Sequence, residues 1–415
     1  MQNNIKKDYF WNTLGVFAQN AISPLLLIVI TRINGIYDSG IFSLAFSISI
    51  VFWAIGLWGG RTYQVSDVKK EFAQRSYVMV RLVLAVVMLV GACVFAYMSG
   101  YDLGKTEIIV ALVIFKVIES IADVIYGILQ VHRRLYKSGI SLLYKALLGI
   151  SAFVVIDLIT NSILLSSIGV VLVNLAILFV YDIRFAKKFE DLSISKDQFA
   201  RYIKEAIVIM RRCFYVFAVS FLAMLSINVP RYFIDSYHPN ETGYFGIIVM
   251  PVTLIALVIS FILQPNVVGL ADLYNDKKYK EFNHVVNKLL LATGLVGAFV
   301  LAVTILIGAQ LLELAFGVSF EAYKLALAVV VLGGIANSLV FILINILTII
   351  RRIKIQMYVL LITNIALVGA SMYVTRDYGL MGGIGLFAGV NSIQFILLFL
   401  TYKVSLKRSA DVEKN

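Results

Sequence analysis

Charged residues are scarce in this chain of 415 residues. Only 14% of the residues are charged while 60% are apolar, and the mean hydropathy is +0.91. A soluble domain carries about 25% charged residues, so the composition excludes a soluble protein. The sequence instead predicts an integral membrane protein, whose structural unit is a spanning helix of about 20 residues.

Cysteine, histidine and proline are also rare. The two cysteines, Cys93 and Cys213, lie in or beside apolar runs and exclude a disulfide framework. The three histidines are far apart in sequence, and HExxH, Walker and nucleophile-elbow motifs are all missing. We therefore predict no metal, no cofactor and no enzymatic activity. The apolar runs are too long and alternate too little for barrel strands, which predicts an all-α fold.

Long apolar runs dominate what is present. A window of about 19 residues finds twelve candidate spans. They begin near residues 10, 40, 77, 107, 140, 162, 208, 243, 287, 323, 356 and 380. The fifth and sixth are separated only by the short polar break in IDLITNSILLSS. The basic N-terminus continues into an apolar run without a small-residue cleavage site, so we interpret it as a retained first helix.

Lysine and arginine are distributed unevenly along the chain. With the N-terminus inside, most of the 36 basic residues fall in cytoplasmic segments, to which Arg81 and Lys145 are assigned. The segments assigned to the outside hold only Arg32, Lys105, Arg231, Lys324 and Arg376. This pattern predicts that both termini are cytoplasmic. It also makes the net charge of +12 a topology signal, not a sign of nucleic-acid binding.

The two halves of the chain resemble each other. The stretch TRINGIYDSGIFSLAFSISIVFWAIGLWGGRTYQ (31–64) can be set beside PRYFIDSYHPNETGYFGIIVMPVTLIALVISFILQPN (230–266). Each has an arginine at the end of one span, a short polar loop, and glycine with an aromatic residue at the start of the next span. We interpret this as two six-helix lobes, 1–200 and 201–415, related by a parallel repeat.

Three ionisable residues share one stripe of the fourth span. In ALVIFKVIESIADVIYG (111–127), Lys116, Glu119 and Asp123 fall on one face because a helix turns about 100° per residue. Charges at such depth almost always face a bundle interior or a wet cavity. Three interpretations stay open at this point: a buried ion pair that docks the helix, the lining of a cavity, or a proton or cation site.

Arginines at the ends of spans form a second candidate set. Arg32 and Arg231 are related by the repeat, and Arg61 follows Gly59 and Gly60, which allow a close backbone approach. A guanidinium suits phosphate because its planar fork donates two hydrogen bonds and stays charged. Interfacial snorkelling is the alternative for each of them. The sequence adds Arg211 and Arg212 as secondary candidates for substrate binding.

Several stretches are similar to one family of transporters. NTLGVFAQNAISPLLLIVITR, GIFSLAFSISIVFWAIGLWGGRTYQVSD and INVPRYFIDSYHPNETGYFGIIVMPVTLI resemble the polysaccharide-repeat flippases. These form the Wzx-like, polysaccharide-transport branch of the multidrug/oligosaccharidyl-lipid/polysaccharide (MOP) exporter superfamily. The similarity runs along nearly the whole chain, and its motifs do not identify a sugar.

This resemblance implies a fold and a function. The implied fold is a V-shaped pair of six-helix lobes around a central cavity that opens alternately to each side of the inner (plasma) membrane. The implied substrate is an undecaprenyl-pyrophosphate-linked oligosaccharide, for O-antigen of lipopolysaccharide, capsule or a related glycan. The implied partners are this lipid-linked oligosaccharide, membrane lipids and other glycan-assembly membrane proteins.

The resemblance also implies which residues line the cavity. The first, second, seventh and eighth spans would contribute Arg32, Arg61 and Arg231, and the fourth span would contribute its charged stripe. Two other functions remain as alternatives. A cation-coupled multidrug antiporter on the same fold would need a dominant acidic site. A membrane glycan polymerase or ligase would need larger external loops than this sequence offers.

Overall fold

The chain is helical almost throughout. The computed structural model describes residues 2–67, 69–193 and 196–412, and within these ranges it contains helices and no β-strand. The helices of the first part are α1 Gln2–Ile33, α2 Ile36–Leu57, α3 Gly60–Ser66, α4 Gln74–Met98, α5 Leu103–Val131, α6 Leu135–Thr160, α7 Ile163–Ile177 and α8 Arg184–Ala186. The remainder are α9 Lys196–Tyr237, α10 Thr242–Ile248, α11 Met250–Leu263, α12 Asn266–Asn275, α13 Tyr279–Val303, α14 Ala309–Phe316, α15 Lys324–Ile349 and α16 Ile353–Val412. The all-α prediction is confirmed.

Many of these helices can cross a membrane. Among the described residues, ten helical segments are long and apolar enough for this by length and composition. The chain is therefore a multi-pass membrane protein. The predicted fifth and sixth spans are separate helices, since Asn161 has a left-handed φ of 47° and the Ser162 side chain accepts a hydrogen bond from the Leu165 amide. The count of twelve spans remains a prediction.

Helices α5 and α16 depart from a simple apolar span. Helix α5 is 29 residues long but is not among the ten segments, because its ionisable residues exceed what a purely apolar span allows. Helix α16 runs for 60 residues and is interrupted at Gly379, where φ is 52° and ψ is −133°. A straight helix of that length would measure about 90 Å, roughly three times the hydrocarbon thickness of a bilayer. The break at Gly379 is therefore where the chain can reverse its direction.

The described residues belong to two compact units, which we call unit 1 (Met1–Phe221) and unit 2 (Leu222–Asn415). Helix α5 is the central element of unit 1, where it packs against α2, α4 and α7. Helices α1 and α6 approach so closely that a Cβ on Gly15 would lie 2.3 Å from the Gly139 carbonyl oxygen. Only glycine fits at that contact. The predicted lobe boundary at residue 200 and the internal repeat remain predictions.

Unit 2 is built around α15, which packs against α11, α13 and α16. A Cβ on Gly333 would meet the Phe387 ring at 2.8 Å, so this pair of helices also depends on a small residue. The break in α16 is held by a contact from the segment between α9 and α10. The Glu241 carboxylate accepts a hydrogen bond from the Leu380 amide at 2.6 Å, and it thereby satisfies a backbone donor that the break leaves without a helical partner.

Candidate functional site

The charged stripe of α5 begins with a buried ion pair. Lys116 Nζ lies 2.6 Å from Glu119 Oε2, and the two side chains are only 8% and 6% exposed. Gln19 of α1 donates a second hydrogen bond to Glu119, at 2.8 Å. The spacing of three residues allows this pair, which is the first of the three interpretations that the sequence leaves open. Helix α1 supplies a partner that the sequence did not indicate.

Aromatic rings surround the ammonium group of this pair. Lys116 Nζ lies 4.9 Å from the ring centre of Phe46, 5.0 Å from that of Trp53 and 4.7 Å from that of Phe115. Each ring presents a negative face to the cation, which stabilises a charge that has lost its water. The ion pair and the rings together explain how α5 tolerates a lysine at membrane depth.

The next turn of the stripe carries a carboxylate between two arginines. Asp123 Oδ1 lies 3.2 Å from Arg61 Nη1, and Asp123 Oδ2 lies 2.7 Å from Arg81 Nη2. Arg81 is 2% exposed and Arg61 is 29% exposed. Arg61 also donates from Nε and Nη2 to the side-chain oxygen of Gln130, at 3.2 and 3.0 Å. These three charged groups leave one net positive charge, on a guanidinium that solvent can reach.

A break between α2 and α3 places Arg61 in this position. Trp58 and Gly59 both have left-handed backbone conformations, with φ of 44° and 64°. The Trp58 ring stacks on Phe217 with ring centres 3.6 Å apart, and its indole nitrogen donates to the Met210 carbonyl oxygen. The sequence signal for the break is the Gly59-Gly60 pair, because glycine adopts positive φ without strain.

A third buried ion pair joins α6 to the segment after α7 and contacts Tyr126 of α5. Lys145 Nζ of α6 is 2.6 Å from Asp182 Oδ2 and 3.0 Å from the Tyr126 hydroxyl. Tyr126 also exchanges a hydrogen bond with Ser141 at 3.0 Å. The Lys145 and Asp182 side chains are 4% and 0% exposed. The Lys145 and Asp182 pair is therefore closed off by protein groups and is unsuited to contact with a ligand.

The secondary candidates lie at the surface of unit 1. Arg212 donates to both carboxylate oxygens of Glu71 at 2.7 Å and to the Tyr63 hydroxyl at 2.7 Å. These hydrogen bonds from Arg212 lower the pKa of Glu71, which lies in the connector between α3 and α4. Arg211 is exposed. Of the two arginines, Arg212 thus has its guanidinium engaged by a carboxylate, in an exposed and salt-sensitive pair.

Arg32 lies away from the stripe within unit 1, and Arg231 belongs to the other unit. Arg32 is exposed in the last turn of α1, about 20 Å along the helix from Gln19, which contacts Glu119. Arg231 belongs to unit 2, where its guanidinium lies 5.4 Å from the ring centre of Phe245. The structure therefore brings Arg61 together with Asp123 and pairs Lys116 with Glu119, whereas Arg32 is separate from both pairs.

Four groups around the stripe were missed from the sequence: the half-buried Gln19 and the buried Arg81, Lys145 and Asp182. The topology assignment placed Arg81 and Lys145 in cytoplasmic segments, but the structure places both inside helices and buries them. Apolar residues flank both cations in sequence, and a cation in such a run needs an acidic partner. That signal could have identified them as buried.

Oxygen-bearing side chains also cluster where α6 ends and α7 begins. Asp157 is fully buried, and its Oδ1 lies 3.4 Å from both the Asn34 side-chain nitrogen and the Ser166 hydroxyl. Among the described residues, Asp157 Oδ2 and Asn34 Oδ1 are buried without a hydrogen-bond partner. Asp38 adds a second carboxylate that interacts electrostatically with Asp157. Within the same ranges, no group of three or more His, Cys, Asp or Glu side chains is placed to hold a metal.

Unit 2 buries neutral polar groups. Asn364 donates to the Ser226 hydroxyl at 3.0 Å, and Gln394 donates to the Ser226 and Thr363 hydroxyls at 2.9 Å each. All four side chains are at most 5% exposed. Amides and hydroxyls can satisfy one another in a membrane without placing a net charge there.

No protein-family model matches the chain. A capsular polysaccharide biosynthesis protein, CapF of Staphylococcus aureus, is 24% identical over 324 residues, which are 77% of this chain and 80% of that protein.

Solved structures of transport proteins are similar over nearly the whole chain. An inward-facing multidrug resistance MATE family transporter of the MOP superfamily superposes with a TM-score of 0.68, at 13% identity over 95% of this chain and 96% of that chain. The lipid II flippase MurJ, in an inward closed conformation, also has a TM-score of 0.68, at 12% identity over 99% of this chain and 90% of that one. The chain thus has the fold of the MOP-superfamily transporters, as its sequence resemblance to that superfamily indicates.

Proposed function

We propose that this protein is a flippase that moves an undecaprenyl-pyrophosphate-linked oligosaccharide across the inner membrane by alternating access. Two comparisons support this proposal. The relative in Staphylococcus aureus is named for capsular polysaccharide biosynthesis, and a flippase of lipid II has a similar fold. The proposed partners are the lipid-linked oligosaccharide and membrane lipids.

The observation that carries the proposal is the surplus positive charge at Arg61. A diphosphate with a hydrophilic glycan cannot enter hydrocarbon unaided because its charge would lose water without compensation. Arg61 is partly exposed, and its carboxylate partner Asp123 is shared with Arg81. A guanidinium in this setting can exchange Asp123 and Gln130 for two phosphate oxygens. Such a group lowers the cost of passing the headgroup while the polyprenyl tail stays in lipid.

The proposal includes a topology. Counting α5 as a span, and α16 as two spans divided at Gly379, would bring the ten apolar segments to twelve. An even number would leave both termini on the same side of the membrane, which the lysine and arginine distribution predicts to be the cytoplasmic side. Two six-helix lobes that rock against each other would then alternate access to the substrate.

The other candidate residues receive proposed roles that follow from their surroundings. Lys116 and Glu119 are buried in mutual contact, so we assign them to fixing α5 against α1 and α2. We propose that the exposed Arg211 and Arg212, which follow a segment assigned to the cytoplasm, attract the anionic headgroup before it reaches Arg61. Arg32 and Arg231, which are assigned to the outside, would interact with it after Arg61.

A cell-based experiment tests the proposed function. Deletion of the gene should make lipid-linked oligosaccharide accumulate on the cytoplasmic leaflet, and the wild-type gene should remove this accumulation. Arg61→Ala should fail to do so at normal protein levels, and Arg61→Lys should restore part of the activity. Arg201→Ala is the matched control, because Arg201 is a 71% exposed arginine of the same unit paired within its own helix. Export by Arg61→Ala at the wild-type rate would contradict the role of Arg61.

A cation-coupled multidrug antiporter is the second candidate, and the oxygen cluster at Asp157 favours it. Contacts of 3.4 Å are long for O–H···O hydrogen bonds. Neighbouring oxygens around an octahedrally coordinated cation are separated by about 3.4 Å when each lies about 2.4 Å from the ion, which is the separation seen here. Rotation of the Asn34 amide by about 180° would present its oxygen there in place of its nitrogen.

A direct comparison separates these two candidates. Protein in proteoliposomes should be assayed for efflux of a cationic dye driven by a sodium or proton gradient. Efflux that is lost in Asp157→Asn and retained in Arg61→Ala would establish the antiporter. Absence of dye efflux, with headgroup translocation that needs Arg61, would establish the flippase.

A further inference from the structure

Arg81 contacts Asp123 of the charged stripe and is only 2% exposed to solvent. It belongs to α4, and its guanidinium joins the end of α2 to Asp123 of α5. A buried arginine is costly unless its donors are satisfied and its charge is balanced. Both conditions are met here by groups on two other helices, so Arg81 fixes the relation between them.

The first set of contacts is with the end of α2. Arg81 Nη1 donates to the Gly56 carbonyl oxygen at 2.6 Å and also to the Leu57 carbonyl oxygen. These carbonyls lie in the last turn of α2, where the helix dipole concentrates negative potential. A Cβ on Gly60 would stand 3.4 Å from the guanidinium nitrogens, so the first residue of α3 rests against the same group. Arg81 thereby holds the break that precedes Arg61.

The second contact, with Asp123, determines how much positive charge remains at Arg61. Each oxygen of Asp123 accepts from a different arginine, Oδ2 from the buried Arg81 and Oδ1 from the partly exposed Arg61. If Asp123 had only Arg61 as a partner, the two charges would cancel and an anion would gain little. Because Arg81 balances the carboxylate from the buried side, Arg61 keeps a surplus charge.

We propose that Arg81 is the positioning residue of the anion site. It fixes the backbone break that orients Arg61, and it neutralises Asp123 so that Arg61 remains available to a phosphate-bearing headgroup. The identity of the ligand rests on the proposed function. The positive potential at Arg61 does not, and it can be measured without a substrate.

The experiment measures that potential with a cysteine reporter in the full-length protein in membranes. Cys93 and Cys213 are first replaced by serine and alanine, and Gln130→Cys is added, because Gln130 is half-buried and contacts Arg61. Two methanethiosulfonate reagents of similar size, one with an anionic sulfonate and one with a cationic trimethylammonium group, then label the reporter. The ratio of their rates reports the local potential.

The charge balance predicts whether each variant raises or lowers the ratio of the anionic to the cationic labelling rate. A unit charge at about 8 Å in water changes the rate of each charged reagent about 2.4-fold in opposite directions, so one charge alters the ratio about five- to sixfold. Arg81→Met should lower the anionic-to-cationic ratio about fivefold, and Asp123→Asn should raise it by a similar factor. The double variant Arg81→Met/Asp123→Asn should return the ratio to that of the reporter parent.

Other results would overturn the proposal. An unchanged ratio in Arg81→Met would show that Arg81 does not balance Asp123, and a double variant that stays at the low ratio would assign Arg81 a purely structural role. If Arg81→Met does not accumulate, Arg81→Lys replaces it. It should keep the ratio, since the charge remains, yet lose glycan export at least tenfold, since the fork that holds α2 is gone. Wild-type export by Arg81→Lys would contradict the positioning role.

Failure of the proposed function looks different from failure of this inference. If the protein does not translocate lipid-linked oligosaccharide, the wild-type chain fails the complementation experiment while the labelling ratios still follow the charge balance. If the inference is wrong, wild-type export persists and the ratios do not respond to Arg81.

Discussion

Unit 1 and unit 2 bury polar groups in different ways. Unit 1 buries ion pairs, such as Lys116 with Glu119 and Lys145 with Asp182. Unit 2 buries a network of neutral groups around Ser226 and Asn364. Ion pairs are expensive to desolvate and become strongly destabilising when one partner is lost, whereas amides and hydroxyls tolerate rearrangement at small cost. Loss of one partner is therefore expected to cost more in these ion pairs of unit 1 than in the neutral network of unit 2.

The largest expected effect lies in the fully buried pair of unit 1. Asp182→Ala leaves the Lys145 ammonium without a counterion, and we expect it to lower the free energy of unfolding by about 3 to 5 kcal/mol. Unfolding in detergent with a denaturant series measures this loss. The double variant Lys145→Met/Asp182→Leu is the control, and it should recover most of the stability. A double variant as unstable as Asp182→Ala would show that packing, not charge, dominates this pair.

A smaller effect is expected in the neutral network of unit 2. Asn364→Ala removes hydrogen bonds to the Ser226 hydroxyl and to the Leu222 carbonyl oxygen, and we expect a loss of about 1 kcal/mol. The same unfolding assay applies. A loss as large as that of Asp182→Ala would erase the distinction between the two units.

The smallest effect is expected at the surface of unit 1. Arg212→Ala breaks the exposed pair with Glu71, and the small loss of stability should vanish at about 1 M salt, where screening extends over only about 3 Å. Because Arg212 lowers the pKa of Glu71, the contribution of the pair is present above the ordinary carboxyl pKa. It is lost as the pH falls through the lowered value.

Thermal unfolding of wild type and Arg212→Ala at neutral and acidic pH tests whether the stabilisation by this pair is lost as the pH falls. The two proteins should differ at neutral pH and converge in acid. A difference that grows as the pH falls, or that is unaffected by salt, would contradict the assignment of this contact as a screened surface pair.

The sequence predicts interactions within one helix better than interactions between helices. Lys116 and Glu119 could be paired in advance because both lie on α5 and helical geometry fixes their spacing. Arg81 and Asp182 could not be found in this way, since their partners lie on other helices and hydropathy does not tell which helices are neighbours. The same limit explains why the charge distribution assigns Arg81 and Lys145 to cytoplasmic segments.

The break before Arg61 was only partly predictable. The Gly59-Gly60 pair indicates a close backbone approach, and the structure places a left-handed Gly59 against Val216 and Gly60 against Arg81. The left-handed conformation of Trp58 has no comparable signal, because it depends on stacking with Phe217 of a helix distant in sequence. Long-range packing therefore decides the orientation of the arginine on which the proposed function depends.

The most direct test of that function is translocation by purified protein. Wild-type protein in proteoliposomes should speed the flipping of a fluorescent undecaprenyl-pyrophosphate-linked oligosaccharide, Arg61→Ala should slow it at least tenfold, and the control Arg201→Ala should match wild type. Absence of flipping by wild type, or equal rates for wild type and Arg61→Ala, would contradict the account.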